Sequence, residues 1–372
     1  MLNADDTPVP PSPSASGATL TSPTNNQPSE PGGLGQVTVE QLVQQIKEAA
    51  DQLLSDRADR GDIKIIATAI RELRHALSLF ARYRHMRKVT IFGSARTPRD
   101  HPAYQSAVQF ARRMAELGFM IITGAASGIM EAGHVGAGKE RSLGINIRLP
   151  FEQAANPIIA NDDQRLVNFK YFFTRKLMFV KEADAVALFP GGFGTLDEGF
   201  EALTLIQTGK SHMFPIVLID EPGGDYWQAF DRFIKDVLLG REYISPQDLS
   251  LYKVTDNVEE AVAEIRQFYR VYHSMRYIRD KRYLVLRLRS ILPGELLERI
   301  RRNFADIVVE GTFELVPADA EESNDNHLLH LPRLRFRFDR RNLGRLRQLI
   351  DYVNREAPDP IYPDVLPAVP AV

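Results

Sequence analysis

From Lys88 onward, short continuous apolar runs alternate with longer stretches in which apolar residues recur every three or four positions. The runs are VTIF (89–92), FMIIT (119–123), SLGINI (142–147), AVALF (185–189) and FPIVLI (214–219). Helical spacing predicts helices over 104–117, from the GAASG loop to about Gly138, and over 174–182, 195–207 and 226–239. Strands apolar on both faces, with a helix between successive strands, imply a mostly parallel sheet covered on both sides. The expected fold is therefore α/β: a doubly wound, Rossmann-like domain over 88–272. Upstream, Thr38 and Gln41 fit a capping box, and Val39, Leu42, Val43, Ile46, Ala49 and Leu53 share one helical face. A second helix fits 63–84, so 37–87 is expected to be a helical hairpin that packs on the main domain or on a partner subunit. Downstream, strands at 283–290, 307–316 and 334–338 and helices at 293–304 and 340–355 predict a β-α-β-β-α, ferredoxin-like module over 273–356.

Composition narrows the class. The 372 residues are 44% hydrophobic and 25% charged, with a net charge of −2, which supports real cores and gives no whole-chain attraction to nucleic acid. There are no cysteines, which removes disulfides, thiolate metal sites and cysteine nucleophiles. Residues 1–36 hold seven prolines among Ser, Thr, Asn and Gly and are expected to be a disordered tail. The Pro-rich stretch 357–372 is expected to be loose. The first basic residue is Lys47, so 1–46 do not read as a secretory or organellar leader, and a cytoplasmic protein is expected.

Ligands of open α/β sheets bind beyond the carboxyl ends of the strands. Three glycine-bearing loops are predicted there: Gly93-Ser94-Ala95-Arg96, Gly124-Ala125-Ala126-Ser127-Gly128 and Pro190 to Thr195. Glycine lets backbone N–H groups approach an anion, and the helix N-terminus behind each loop adds unpaired donors. Each loop taken alone is an ordinary strand-to-helix turn; three on one edge favour a nucleotide or sugar phosphate. Glu198 lies one turn into the helix after the third loop, where it can face the loop's ligand or simply complement the helix dipole. Arg175-Lys176 opens another helix, either as an exposed basic pair or as a holder of phosphate or ribose oxygens. GHVGAGK (133–139) contains the GxxxxGK of a Walker A motif. Glu140 stands where Ser or Thr would hold magnesium, and the stretch runs from helix into strand, so it reads as a helix stop. The eight histidines show no HExxH arrangement, and no metal is expected.

PGGFGTLDE (190–198) resembles the PGGxGTxxE signature of the Lonely Guy (LOG) family of nucleoside 5′-monophosphate phosphoribohydrolases, often labelled lysine decarboxylases. IFGSART, TGAASGIMEAG, TRK (174–176) and Gln207 follow in the family's order, so the resemblance covers roughly 88–240. It implies hydrolysis of the N-glycosidic bond, with free base and ribose 5-phosphate released and no cofactor. Carried onto this sequence, Glu198 acts on the oxocarbenium-like sugar or the attacking water, and Arg175 orients ribose or water. Gly191, Gly192, Gly194 and Thr195 take the phosphate; Gly93, Ser94, Gly124, Gly128, Met130, Glu131 and Lys176 complete the binding set. The resemblance also implies a homodimer or higher homo-oligomer. Ala125 stands where the family has a second glycine, and the flanking helices and C-terminal module lie outside the minimal plant-type enzymes. The substrate expected is therefore a purine nucleotide such as AMP, with a cytokinin riboside monophosphate as the alternative. The rival function is a nucleotide or molybdenum-cofactor carrier with the same PGGxGT loop, which would not need both Arg175 and Glu198. No pyridoxal-phosphate lysine motif is identifiable, which disfavours a decarboxylase.

The C-terminal region is strongly basic, with nine Lys or Arg against three acids over 276–302 and seven Arg against one acid over 333–347. Arg287, Arg289, Arg335 and Arg337 alternate with apolar residues. They are expected on a solvent face balanced by Glu310 and Glu314, or as a cationic surface for an anionic effector. RNA is the weaker option, because that face lacks stacking aromatics.

Overall fold

The structure, a computed structural model, describes residues 37–148, 155–323 and 325–364. The expected disorder of 1–36 lies outside the described residues. Residues up to Asp59 form a unit of their own. Its helix α1 (Val39–Ser55) opens on the expected Thr38–Gln41 capping box, and none of its side chains is buried.

In the second unit, from Arg60, every predicted apolar run becomes a strand. The strands are β1 (Lys88–Phe92), β2 (Met120–Thr123), β3 (Ser142–Ile147), β4 (Leu166–Phe169), β5 (Ala185–Leu188), β6 (Ile216–Ile219) and β7 (Tyr252–Thr255). They pair in parallel in the order β4-β3-β2-β1-β5-β6-β7. The sequence reading missed β4 and β7 for a physical reason: they are the edges. LVNF and YKVT are only partly buried, so they lack the continuous apolar run that marks the inner strands. Chain order reverses at β1, whose neighbours are β2 and β5, and this switch point places the loops after all three strands side by side.

Helices α3 (Pro102–Glu116), α4 (Ile129–Ala137) and α8 (Val258–Phe268) cover one face, where Ile91, Phe110, Ile121 and Ile265 share a core. The other face carries α2 (Arg60–Ala81), α5 (Phe172–Glu182), α6 (Phe193–Gln207) and α7 (Tyr226–Phe233), through Phe80, Phe179, Ile206 and Trp227. The supposed Walker stretch is the end of α4, stopped at Gly138 with φ +73.

The C-terminal region is the expected small α+β module, with one strand more than the β-α-β-β-α spacing predicts. Strands β8 (Tyr272–Ile278), β9 (Tyr283–Leu288), β10 (Glu314–Val316) and β11 (Arg333–Phe336) form a sheet of order β10-β11-β9-β8 in which every pairing is antiparallel. With α9 (Gly294–Asn303) and α10 (Leu343–Glu356) the element order is ββαββα. The β8–β9 hairpin was missed because YHSMRYI mixes polar and apolar positions and is half-buried over its middle. Leu284, Leu286, Phe336 and Leu346 join the same core as Phe179 and Ile206, so this sheet and the parallel sheet are packed as one body.

The expected balance by Glu310 and Glu314 holds for Arg337 and Arg335, whereas Arg287 is not on a solvent face. Arg287 is buried and paired with Glu322 and Asp325, and Arg333 with Glu322. Arg289 donates to the carbonyls of Tyr269, Arg270 and Tyr362. Arg335 pairs across the strands with Glu314 at 2.6 Å, and Arg337 pairs with Glu310. The segment between β10 and β11 thus meets the charge of Arg287 and Arg333 from within the chain, through Glu322 and Asp325.

Candidate active site

The three loops at the switch point line one cavity of about 770 Å³. Gly93, Ser94 and Arg96 come from the loop after β1, Gly124 and Met130 from the loop after β2 and the start of α4, and Gly191 to Glu198 from the loop after β5 and the first turn of α6. That volume suits a nucleotide-sized ligand.

Each glycine has a local reason. A Cβ at Gly191 would stand 2.2 Å from Thr195 Oγ1 and 3.0 Å from the Ser94 amide nitrogen, so only glycine lets the loop lie this close to its neighbour. Nothing lies within 4 Å of a Cβ added at Gly192 or Gly194, leaving their backbone bare toward open space. No side chain caps the start of α6 behind them. Unpaired N–H groups and a bare backbone at a helix N-terminus form an anion cradle. Ser94 N–H donates to Pro190 carbonyl at 3.1 Å and ties the first loop to the third. Gly128 has φ +64, and a Cβ there would meet the Ser94 carbonyl at 2.3 Å; it allows α4 to begin against the first loop and does not line the cavity.

Arg175 reaches the cavity from α5. Its Nε donates to the Ile145 carbonyl at 2.9 Å, and its guanidinium lies 5.0 Å from the Phe179 ring centroid. It also passes so close over Gly124 that a Cβ there would lie 2.5 Å from Nη2. Glu198 is 8% exposed on the cavity wall. Burial raises its carboxyl to about 7; Lys176 and Arg175 pull it back, and Glu201 and Asp197 add to the rise. A carboxyl poised near neutrality beside a cavity has the charge properties of a general acid or base.

Besides Gly128, two members of the sequence-derived set stand off the cavity wall. Glu131 is buried and pairs with Arg99 at 2.5 Å, which anchors the loop after β1 rather than lining the cavity. Lys176 also stays off the cavity wall and turns to the carboxylates of α6.

Other residues were missed. Tyr226, the first residue of α7, donates its hydroxyl to the Gly191 carbonyl at 2.6 Å and so pins the cradle from behind. Phe172, Phe179 and Phe193 line the cavity, and Phe193 is 92% exposed. An aromatic inside the glycine signature was the one available sign of an apolar wall; nothing in the sequence singled out Tyr226. Among the described residues, no cluster of His, Cys, Asp and Glu has a metal-holding arrangement, and no helix is long and apolar enough to cross a membrane.

A parallel switch-point sheet, a glycine-built helix N-terminus, an arginine and a buried carboxylate around one cavity define an α/β protein with its candidate site at the carboxyl edge of the sheet. Residues 123–265 match the family model described as "Possible lysine decarboxylase". The matched segment carries the loops after β2 and β5 but not the loop after β1. A cytokinin riboside 5′-monophosphate phosphoribohydrolase of Mycobacterium tuberculosis is 36% identical over 104 residues, 27% of this chain and 52% of that protein. A protein of Oryza sativa subsp. japonica named "Probable cytokinin riboside 5′-monophosphate phosphoribohydrolase" is 27% identical over 188 residues, 49% of this chain and 72% of that one. The match to the mycobacterial protein thus spans about half of its length. Among solved structures, the molybdenum cofactor binding protein of Rippkaea orientalis is 22% identical, with 49% of this chain and 96% of that chain covered and a TM-score of 0.33, too low to bear on function.

Proposed function

We propose that this domain hydrolyses the N-glycosidic bond of nucleoside 5′-monophosphates, releasing the base and ribose 5-phosphate. The observation that carries the reading is the placement of the buried Glu198 carboxyl in the same cavity as the Gly191–Thr195 cradle and Arg175. The 5′-phosphate would sit on the backbone of Gly192 and Gly194, with Thr195 and Ser94 beside it. The ribose would extend from there toward Glu198. Water attacks C1′ as the C1′–N bond breaks, the bonding pair leaves with the base, and a proton goes to that base. Ionised Glu198 would stabilise positive charge on the sugar or accept the water's proton. Arg175, held by the Ile145 carbonyl, would orient the ribose or the water.

A nucleotide carrier would need the cradle alone; the raised carboxyl of Glu198 favours chemistry over storage. The named relatives act on cytokinin riboside monophosphates, and the phenylalanine-lined wall would accept a purine with or without an isoprenoid substituent. The test is release of base and ribose 5-phosphate from AMP, GMP, CMP, UMP and isopentenyladenosine monophosphate. We expect turnover of at least one by the wild type and none by Glu198→Ala. Tight binding without release from any would point to the carrier.

A further inference from the structure

Lys176 forms ion pairs with three carboxylates, and the arrangement is lopsided. Its Nζ lies 2.7 Å from Glu201 Oε2, 2.8 Å from Asp197 Oδ2 and 3.8 Å from Glu198 Oε2. One ammonium on α5 therefore serves three carboxylates on the first turns of α6. The two short contacts go to the partly exposed members, at 29% and 60%, and the long one to the buried member, at 9%. The Lys176 side chain is itself 18% exposed and absent from the cavity wall, and its two short contacts are both to α6.

We propose that Lys176 and Glu201 are a positioning pair: they clamp α5 to α6 and tune the charge of the Glu198 carboxylate, and Lys176 is not a phosphate ligand. This rests on the reading of Glu198 as the working carboxylate. The groups that act on Glu198 are Lys176 and Arg175 from α5 and Asp197 and Glu201 from its own helix, with Arg96 on the loop after β1 lining the same cavity. Lys176 is the attractive member, and Glu201 both repels Glu198 and draws the lysine away from it. Removing either one should thus move Glu198 in opposite directions, an outcome that a merely structural clamp would not give.

The experiment is a carbon-13 NMR titration of the Glu198 side-chain carboxyl in the full chain, with the pH–rate profile on the best nucleotide substrate measured in parallel. Lys176→Met should raise the titration midpoint by about one pH unit or more, and Lys176→Arg should restore it. Glu201→Gln, at a partly exposed position that the fold tolerates, should lower it. The ascending limb of the rate profile should follow the NMR midpoint in each variant. Midpoints that stay together in folded variants would overturn the proposal. So would a Lys176→Met variant whose only change is a higher KM, which would return the lysine to the phosphate. Opposite midpoint shifts in a protein that hydrolyses no nucleotide would uphold the electrostatic pair and reject the hydrolase reading.

Discussion

Glu198 is buried on the cavity wall, and its charge state is coupled to the stability of the fold. Burial raises its carboxyl from an ordinary 4.5 to about 7, so the folded protein holds a proton there that the unfolded chain gives up. Stability from this group is therefore fully present below about pH 4.5 and is lost as pH rises through about 7. Glu198→Gln removes the charge that must be buried. It is expected to unfold later than the wild type at pH 8, by roughly 1–3 kcal/mol, with the gap closing toward pH 4.5. Urea denaturation at several pH values measures this. If the ionised form does the work, the wild-type rate climbs through about pH 7 while Glu198→Gln stays inactive; a rate that falls through the same range would make Glu198 an acid instead. The carboxylate's position was legible in the sequence because it lies one turn from the glycines that build the cradle. Its charge state was not, since that depends on α5, which joins α6 only in space. Ala125 is a similar case: the departure from glycine was visible, but only the fold shows that it sits at φ +63, in the region that favours glycine.

At the scale of elements, the site is a junction of three loops, and each contributes what its own sequence can encode. The cradle after β5 was legible because glycine spacing and a helix start are local. Tyr226 was invisible for the opposite reason: it opens α7, 35 residues after Gly191, and reaches that carbonyl only because β6 lies beside β5. Its bond holds the Gly191 peptide by the carbonyl. Tyr226→Phe keeps the ring contact with Trp227 and removes only the hydroxyl. One such bond contributes about 1 kcal/mol, so KM for a nucleoside monophosphate should rise roughly fivefold with little change in kcat. Steady-state kinetics on a 5′-monophosphate and on the corresponding nucleoside would separate the two cases: a cradle effect appears only with the phosphate. The edge strands β4 and β7 and the hairpin strand β8 escaped the sequence reading for one shared reason, because a strand with a half-exposed face has no continuous apolar run to find.

At the scale of the whole chain, residues 357–364 of the stretch expected to be loose are tied into the start of the parallel sheet, and 365–372 lie outside the described residues. Arg87, one residue before β1 and 7% exposed, donates through Nε and Nη2 to the two carboxylate oxygens of Asp364, both at 2.7 Å. It also meets Asp184 at 3.2 Å, and its guanidinium lies 3.6 Å from the Tyr269 ring centroid. Ile361 and Tyr362 donate their N–H groups to the Arg289 carbonyl, so the segment crosses the second sheet before it reaches Arg87. Proline content signalled a tail without regular structure, and that much agrees with a strandless path; it could not signal a bidentate ion pair formed 277 positions away in the chain. The sign of the pH effect follows from the pair. Burial would push Asp364 up, but the Arg87 hydrogen bonds and charge outweigh it and hold the carboxyl below its ordinary range. Its contribution is then present above the unfolded carboxylate pKa and lost as pH falls through the folded value. Asp364→Asn leaves the buried Arg87 with Asp184 as its remaining carboxylate, and the loss at pH 7 is expected to be about 1–3 kcal/mol. Denaturation of both proteins at pH 7 and again toward pH 4 gives the answer: the gap should narrow with acid. A gap that holds constant with pH would mean that the ionised carboxylate of Asp364 does not account for the loss, and no gap at pH 7 would leave the segment secured by its backbone contacts with Arg289.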